Sequence, residues 1–392
     1  MRIIRIVKDF PLNSNACYGL QPVYHYLTKE QRKLGYDVVI LSASKGRSQV
    51  KQLDDGTIVY SISNFFSLKS LKLITELLKS DSSTIIHTHA TAGLFLTLLR
   101  QVVKFRHVAH VHGTSKSSFM PVKLRFDNVV QGYSPTKMAY YMAREKMLWN
   151  SASRVLAVSN SVKSDLVKYY GVEEGKITPV YNGVDINLFK EIPNPVLPNQ
   201  LEYLRQKDVV LYVGHFGLRK GLPILFKAMS KVAAVNKDAV LVCVGGVPSW
   251  LGRTNYWQLL NNLIDHLGLR ERIVLQDKVP NNTLPNYYSL AKVFVLPSYY
   301  EAFPKVLIEA MACSRPVVVT REGGPSELVD NGKNGLLVNY GSVSQLAESI
   351  STLLGDVKKA RSMGAKGREK VEREFTWHAV AKRIERVYMS LD

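Results

Sequence analysis

Two doubly wound α/β domains are the fold this sequence predicts, and three observations predict it. Short runs rich in Val and Ile alternate with helix-length amphipathic segments along the whole chain, the pattern of parallel strands joined by crossover helices. The length of 392 residues suits two cores, since a domain takes roughly 150 residues. Pro193, Pro195 and Pro198 fall together with Asn194 and Asn199 near the middle, a composition that breaks helix and strand alike.

The elements follow in order. Met1 to Asp9 alternates basic residues with Ile and Val, which gives a first strand at Ile3–Val7 and lacks the apolar core and cleavage site of a signal peptide. Further strands are expected at Val38–Ser42, Thr84–Thr88, Val108–His112 and Arg154–Val158 in the first half. In the second half they are expected at Val209–Val213, Ala239–Val244, Arg272–Gln276, Val293–Leu296, Pro316–Thr320 and Gly335–Val338. Between them the 3.6-residue period predicts helices at Gln21–Leu34, Leu68–Lys79, Ser161–Tyr170, Leu222–Val235, Tyr256–Leu267 and Lys305–Ala312. The division expected is a Rossmann-like domain over 1–190, a linker over 191–205 and a second Rossmann-like domain over 206–375. A separate helix over 376–392 follows, with packing back onto the first domain as one option.

Composition narrows the class. Apolar residues make up 46% and charged residues 21%, near the globular average, which excludes disordered, collagenous and disulfide-knotted chains. No apolar run approaches the roughly 18 residues that span a bilayer. Cys17, Cys243 and Cys313 are odd in number and widely spaced, which suits a reducing compartment and a cytoplasmic location. The net charge is +20, and residues 1–190 hold 26 basic against 13 acidic side chains. From Leu96 to Arg154 ten basic residues stand against Asp127 and Glu145, with Phe105, Phe119, Phe126, Tyr140, Tyr141 and Trp149 among them. Such a surface favours an anionic partner, and here the expectation is a lipid face at the inner side of the cytoplasmic membrane.

In open parallel sheets, ligands bind beyond the carboxyl ends of the strands, where helix starts receive anions. The most informative loop begins at Pro297 and reads Pro-Ser-Tyr-Tyr-Glu-Ala-Phe-Pro-Lys-Val-Leu-Ile-Glu-Ala-Met-Ala. Pro304 suits the first helical position because its missing N–H is no loss there. The amides of Lys305 and Val306 then open a helix and can cradle a phosphate. Glu301 and Glu309, with seven residues between them, would repel that phosphate, so their use is to accept hydrogen bonds from hydroxyls attached to its owner, such as a ribose diol or a hexose. Lys220, just ahead of the helix that follows Val209–Val213, can neutralise charge growing on a departing diphosphate, with Arg219 beside it. Gly19 closes the loop after the first strand and permits close backbone approach. His112 ends a strand and is followed by Gly113, Thr114 and Ser115. His87, His89, His107 and His110 lie nearby; alternation of strand faces keeps all five from converging, and no metal site is read.

This segment resembles the retaining GT-B glycosyltransferases that share a Glu-x7-Glu signature, the family 4-like or group 1 enzymes. The resemblance runs along the chain through Val-His-Gly-Thr at 111–114, Ala-Val-Ser at 157–159, Tyr-Asn-Gly-Val-Asp at 181–185, Tyr-Val-Gly at 212–214, Arg-Lys-Gly at 219–221, Gly-Gly-Pro-Ser-Glu at 323–327 and Asn-Gly-Leu-Leu-Val at 334–338. It implies a GT-B fold, two Rossmann-like domains facing a cleft, with acceptor mainly on the first and nucleoside diphosphate sugar mainly on the second. It implies Glu309 on the ribose, Glu301 on a sugar hydroxyl, and Lys305 and Val306 on the diphosphate. Val279 would stand at the base, and Gly19, His215, Arg219, Lys220 and Phe303 complete the donor set. His112, Lys220 and Glu301 would carry the catalysis. His215 stands where relatives have an Arg, and Tyr18 where they often have a second Gly.

The expected activity is transfer of a hexose-type sugar, with retention, to a hydroxyl of a glycan or lipid-linked acceptor. No Asp-x-Asp occurs, so no obligatory metal or other cofactor is expected besides the nucleotide sugar. Three other classes compete. A dinucleotide-dependent dehydrogenase would need a Gly-x-Gly-x-x-Gly after a strand, which is lacking. Nucleic-acid binding would explain the charge, yet the aromatics show no RNA-module pattern. A GT-B phosphorylase or a sugar-nucleotide epimerase would share the architecture.

Overall fold

The computed structural model describes residues 1–10, 19–44, 48–79, 83–118, 122–123, 130–131, 134–248 and 253–391. The loop residues 11–18, with Cys17 and Tyr18, lie outside the described residues, as do Phe119 and Phe126 of the basic segment. The chain forms two compact units, the first made of Met1–Met120, Gly132–Gly183 and Trp377–Asp392 and the second of Pro121–Gln131 and Val184–Thr376.

The first unit holds β1 (Arg2–Val7), α1 (Gln21–Lys33), β2 (Asp37–Ala43), β3 (Gln49–Gln52), β4 (Ile58–Ile62), α2 (Leu68–Lys79), β5 (Ile85–His89), α3 (Leu96–Leu99), β6 (Arg106–Val111) and α4 (Ser115–Ser118). The short antiparallel pair that follows in the chain, β7 (Val122–Lys123) and β8 (Val130–Gln131), is grouped with the second unit. Then come α5 (Pro135–Ser151), β9 (Arg154–Ala157), α6 (Asn160–Tyr170) and β10 (Ile177–Pro179). The sheet order is β10-β9-β6-β5-β1-β2-β4-β3, parallel throughout except for the edge strand β3. Local chemistry marks the ends of helices. Ser159 caps α6 by accepting the Val162 amide at 3.1 Å, and Gly171 closes it in the left-handed region at φ 63°, as helix termini require.

The second unit holds β11 (Asp208–His215), α7 (Leu222–Val235), β12 (Ala239–Gly246), α8 (Arg253–His266), β13 (Ile273–Asp277), α9 (Leu284–Leu290), β14 (Val293–Leu296), α10 (Lys305–Ala312), β15 (Val317–Thr320), α11 (Pro325–Leu328), β16 (Leu336–Val338), α12 (Val343–Gly355) and α13 (Val357–Glu374). Its six strands run β13-β12-β11-β14-β15-β16, all parallel. Numbered within the unit, that order is 3-2-1-4-5-6, the Rossmann arrangement.

Two boundaries differ from the sequence reading. The stretch 191–205 is packed onto the second unit. Leu197, Leu201 and Leu204 are buried, the Ile192 amide donates to Ser289 Oγ at 2.9 Å, and the Val196 amide donates to Asn286 Oδ1 at 2.8 Å. The prolines break regular structure there without leaving the chain loose. The change of unit falls at Gly183 and again at Trp377, where the Val184 amide donates to the Phe375 carbonyl at 2.8 Å.

The last helix, α14 (Trp377–Met389), is built into the first unit. Trp377, Val380, Ala381, Ile384, Val387 and Tyr388 recur at helical spacing and join the core of β1 and α1. Trp377 stacks on Tyr26 at 5.9 Å, and a Cβ on Gly183 would meet its ring at 2.6 Å.

The five histidines follow the alternation of strand faces and do not all converge. Residues 87 and 89 share one face of β5, and His110 lies on the same face in β6, because His89 pairs with His110 across the strands, with His112 just beyond the end of β6. His107 turns to the other face and bonds Thr88. Four of the five therefore gather. Their rings stack, with centroids 4.6 Å apart for His87 and His89 and 4.2 Å for His110 and His112.

Candidate active site at the switch point of the second sheet

Because every strand of the second sheet runs the same way, the loops after them share one edge. The chain fills the sheet outward from β11 in both directions, so a crevice opens between the loops after β11 and β14, where such folds bind ligands. The sequence places its richest chemistry in those two loops.

Backbone contacts fix the loops against each other. After His215 the chain makes a single turn through Leu218–Lys220 and reaches Gly221 at φ 72°. A Cβ at Gly221 would come within 2.0 Å of the Pro297 carbonyl oxygen, so only glycine permits this approach. The Tyr299 amide donates to the Arg219 carbonyl at 2.7 Å. From the far side, the Gly324 amide donates to the Glu301 carbonyl at 2.7 Å, and a Cβ on Gly323 would lie 2.3 Å from that same oxygen. Glu301 is thereby held between two loops.

The side chains meet as a consequence. Lys220 Nζ lies 2.5 Å from Glu301 Oε1, with only 19% and 14% of the two side chains accessible. Burial alone would raise the Glu301 pKa; the charge and hydrogen bond of Lys220, with Arg219 behind it, hold it below its ordinary value. Arg219 is itself lowered by desolvation, with Glu301 pulling the other way. His215 keeps an exposed edge, while packing around the ring and the charge of Lys220 lower its pKa and favour the neutral imidazole.

Glu309 lies in the second turn of α10 and is buried. Tyr288 of α9 places its hydroxyl 3.0 Å from Glu309 Oε2 and 3.2 Å from the Val306 carbonyl. Desolvation raises the Glu309 pKa, partly offset by Lys305 and by the Tyr288 hydrogen bond. Pro304 is the N-cap of α10, with ψ 98°, and not its first helical residue. Its carbonyl accepts the Leu307 amide at 3.0 Å. The amides of Lys305 and Val306 therefore precede the first intrahelical bond, the position that favours anions.

The remaining residues fall as follows. Val279 is half-buried just after β13, on the same sheet edge. Phe303 sets its ring edge-on against Phe375 at 6.3 Å, a packing role visible only in three dimensions. Gly19 and His112 belong to the first unit. Gly19 adopts φ 59° ahead of α1, and His112 Nε2 lies 2.9 Å from His89 Nδ1. Sequence reasoning missed Tyr288, for which no spacing rule points 21 residues upstream of its carboxylate. It also missed Glu145, buried in α5, which accepts from the Ser115 hydroxyl at 2.8 Å and amide at 3.1 Å and from Tyr170 at 2.8 Å, fixing the turn after His112.

Two parallel-sheet α/β units with this loop chemistry define a GT-B glycosyltransferase, a transferase of EC 2.4. The model of the family described as Glycosyl transferases group 1 matches residues 196–370, and that of Glycosyltransferase Family 4 matches residues 19–188. The chain belongs to the family 4-type, group 1 glycosyltransferases. It is 27% identical over 325 residues to the alpha-maltose-1-phosphate synthase of Mycolicibacterium smegmatis, covering 79% of each chain. Among solved structures it is similar to the sucrose-phosphate synthase of Thermosynechococcus elongatus, with a TM-score of 0.81 and 23% identity over 100% of this chain and 98% of that one. It is also similar to Anabaena HepE in complex with UDP and glucose, with a TM-score of 0.76 and 21% identity over 100% of both chains.

Proposed function

We propose that this protein transfers a hexose-type sugar, with retention of anomeric configuration, from a nucleoside diphosphate sugar to a hydroxyl of a glycan or lipid-linked acceptor. The observation that carries the reading is the shielded Lys220–Glu301 pair at the switch point, beside the amide end of α10. An ammonium has three donors, and Glu301 takes one, so Lys220 can meet a diphosphate without abandoning its partner. In the same reading Glu309 holds the ribose diol, Glu301 a hydroxyl of the sugar, and the amides of Lys305 and Val306 the diphosphate. Val279 lies by the base, Phe303 shapes the donor loop, and Gly19 and His112 serve sugar and acceptor from the first unit.

As the sugar–phosphate bond breaks, negative charge grows on the leaving diphosphate. Lys220, with Arg219, is aimed at that charge, which is the electrostatic form of transition-state stabilisation. The acceptor hydroxyl then attacks on the face the diphosphate leaves, and the diphosphate takes its proton. His215, neutral where relatives carry Arg, donates a hydrogen bond without a full charge. This scheme needs no divalent ion. The basic first half supports work at an anionic membrane face, at the cytoplasmic side, with no nucleic acid involved. HepE, a structural neighbour, is seen with UDP and glucose, which favours a uridine donor.

A thermal-shift screen of nucleoside diphosphates and their sugars tests the reading, since a ligand of the folded form raises Tm. One nucleoside diphosphate is expected to stabilise the wild type and the Glu301→Ala variant and to lose its effect on Glu309→Ala, while Glu301→Ala loses turnover. No shift with any nucleotide and no nucleoside diphosphate released from any sugar donor in the presence of a lipid extract would overturn it.

A further inference from the structure

The first unit contains a second constellation that the transfer chemistry leaves unused. We propose that His87, His89 and His110 form a binding site for a single late first-row divalent metal ion, Zn²⁺ in chemical class. One nitrogen from each, together, lies within 4.8 Å of the other two, and all three side chains are buried.

The two nitrogens of each ring divide their work as metal-binding imidazoles do. His87 Nδ1 is bonded to the Tyr388 hydroxyl of α14, and His89 Nδ1 lies 2.9 Å from His112 Nε2. The His110 ring is influenced by the Val180 carbonyl. The opposite nitrogens, His87 Nε2 and His89 Nε2, have no hydrogen-bond partner although they are buried, and neither nitrogen of His110 has one of good geometry. Orphaned buried nitrogens on three converging side chains are rare in folded proteins, because each leaves a desolvated polar group uncompensated. A shared ion accounts for all three at once.

The donor set selects the ion. Three neutral imidazoles without a carboxylate or thiolate suit Zn²⁺, Co²⁺ or Ni²⁺, whereas Mg²⁺ and Ca²⁺ require oxygen ligands. A Zn–N bond of about 2.0–2.1 Å places tetrahedral ligand nitrogens about 3.4 Å apart, so the rings close by at most about 1.4 Å around the ion. Arg5 is buried in the same layer, its guanidinium engaged by the Tyr24 carbonyl at 3.1 Å and by Thr28 and Gln31. Its positive charge tunes the affinity down and makes the site selective for ions that bind through covalent donation more than through charge. With His89 ligating through Nε2, its Nδ1 must carry the proton and donate to His112, so occupancy also fixes the tautomer of His112.

The test uses the full, untagged chain stripped with a chelator and titrated with Co²⁺ as an optical probe and Zn²⁺ as competitor. Expected is one Co²⁺ per chain, with the intense visible bands of a tetrahedral nitrogen site, displaced by Zn²⁺. The outer-partner variant Tyr388→Phe should weaken binding about tenfold, and His87→Gln or His110→Gln by more than about a hundredfold, each with wild-type far-ultraviolet dichroism. Absence of stoichiometric Co²⁺ binding by the folded wild type would overturn the proposal. So would affinity unchanged in folded His87→Gln and His110→Gln, which would place the ion elsewhere.

Discussion

Lys220 and Glu301 show what one pair of side chains contributes and how its contribution moves with pH. Each was legible in the sequence by its place in a loop after a strand, but their pairing was not, because 81 residues separate them and only the clasp of two loops through Gly221 and Gly323 brings them together. The Glu301 carboxyl is held below its ordinary value of 4.5. A group whose folded pKa is depressed stabilises the fold above its unfolded pKa and loses that contribution as the pH falls through the folded value. The difference in urea-unfolding stability between wild type and Glu301→Gln should therefore be greatest near neutral pH and shrink below about pH 4.5. A difference that stays constant from pH 7 to pH 3 would show that the pair has no such coupling. Lys220→Ala should cost on the order of a hundred- to a thousandfold in kcat, as for other groups that stabilise developing oxyanions, measured as nucleoside diphosphate released at saturating donor.

At the scale of elements, the periodicity of the sequence located the strands at the centre of both sheets. Val209–Val213 and Val293–Leu296 are buried on both faces and read as continuous apolar runs, as parallel strands do, while Ile3–Val7 is equally buried but carries Arg5 at its centre. The exposed edge strand β3, Gln49–Gln52, carries no such signal. Four histidines meet because β5 presents His87 and His89 on the face where β6 presents His110, with His112 following β6, a register that depends on which strands are neighbours. Glycines divide by the same logic. Gly171 and Gly221 both adopt left-handed φ, at 63° and 72°, but nothing lies within 4 Å of a Cβ at the first, while the Pro297 carbonyl lies 2.0 Å from one at the second. Gly171→Ala should cost about 1–2 kcal/mol from the backbone alone, and Gly221→Ala a further 1–3 kcal/mol or so from overpacking, with donor turnover lost as the clasp opens. Equal losses of stability in the two variants, read by urea unfolding, would show that the Gly221 approach is not tight.

For the whole molecule, net charge was legible in composition and its placement was not. Residues 1–190 carry a net +13, the difference between 26 basic and 13 acidic side chains, and among the described residues no helix is long and apolar enough to cross a membrane. On α5 the residues Lys137, Tyr140, Arg144 and Met147 recur at three- and four-residue spacing, which places them along one face. Tyr140 is 58% and Met147 50% exposed, and the Arg144 guanidinium sits over the Tyr140 ring at 5.3 Å. A stripe of cations and amphipathic side chains suits the headgroup layer of an anionic bilayer, where each basic side chain contributes about 1 kcal/mol. Removing two charges by Lys137→Gln with Arg144→Gln should then weaken partitioning onto phosphatidylglycerol-containing vesicles about thirtyfold. Raising the salt well above physiological strength should weaken the wild type in the same direction as the Debye length shortens. Neutral phosphatidylcholine vesicles should bind neither protein. Flotation decides the matter: equal recovery of wild type with neutral and anionic vesicles, or recovery of the double variant equal to wild type at low salt, would remove α5 as the docking face.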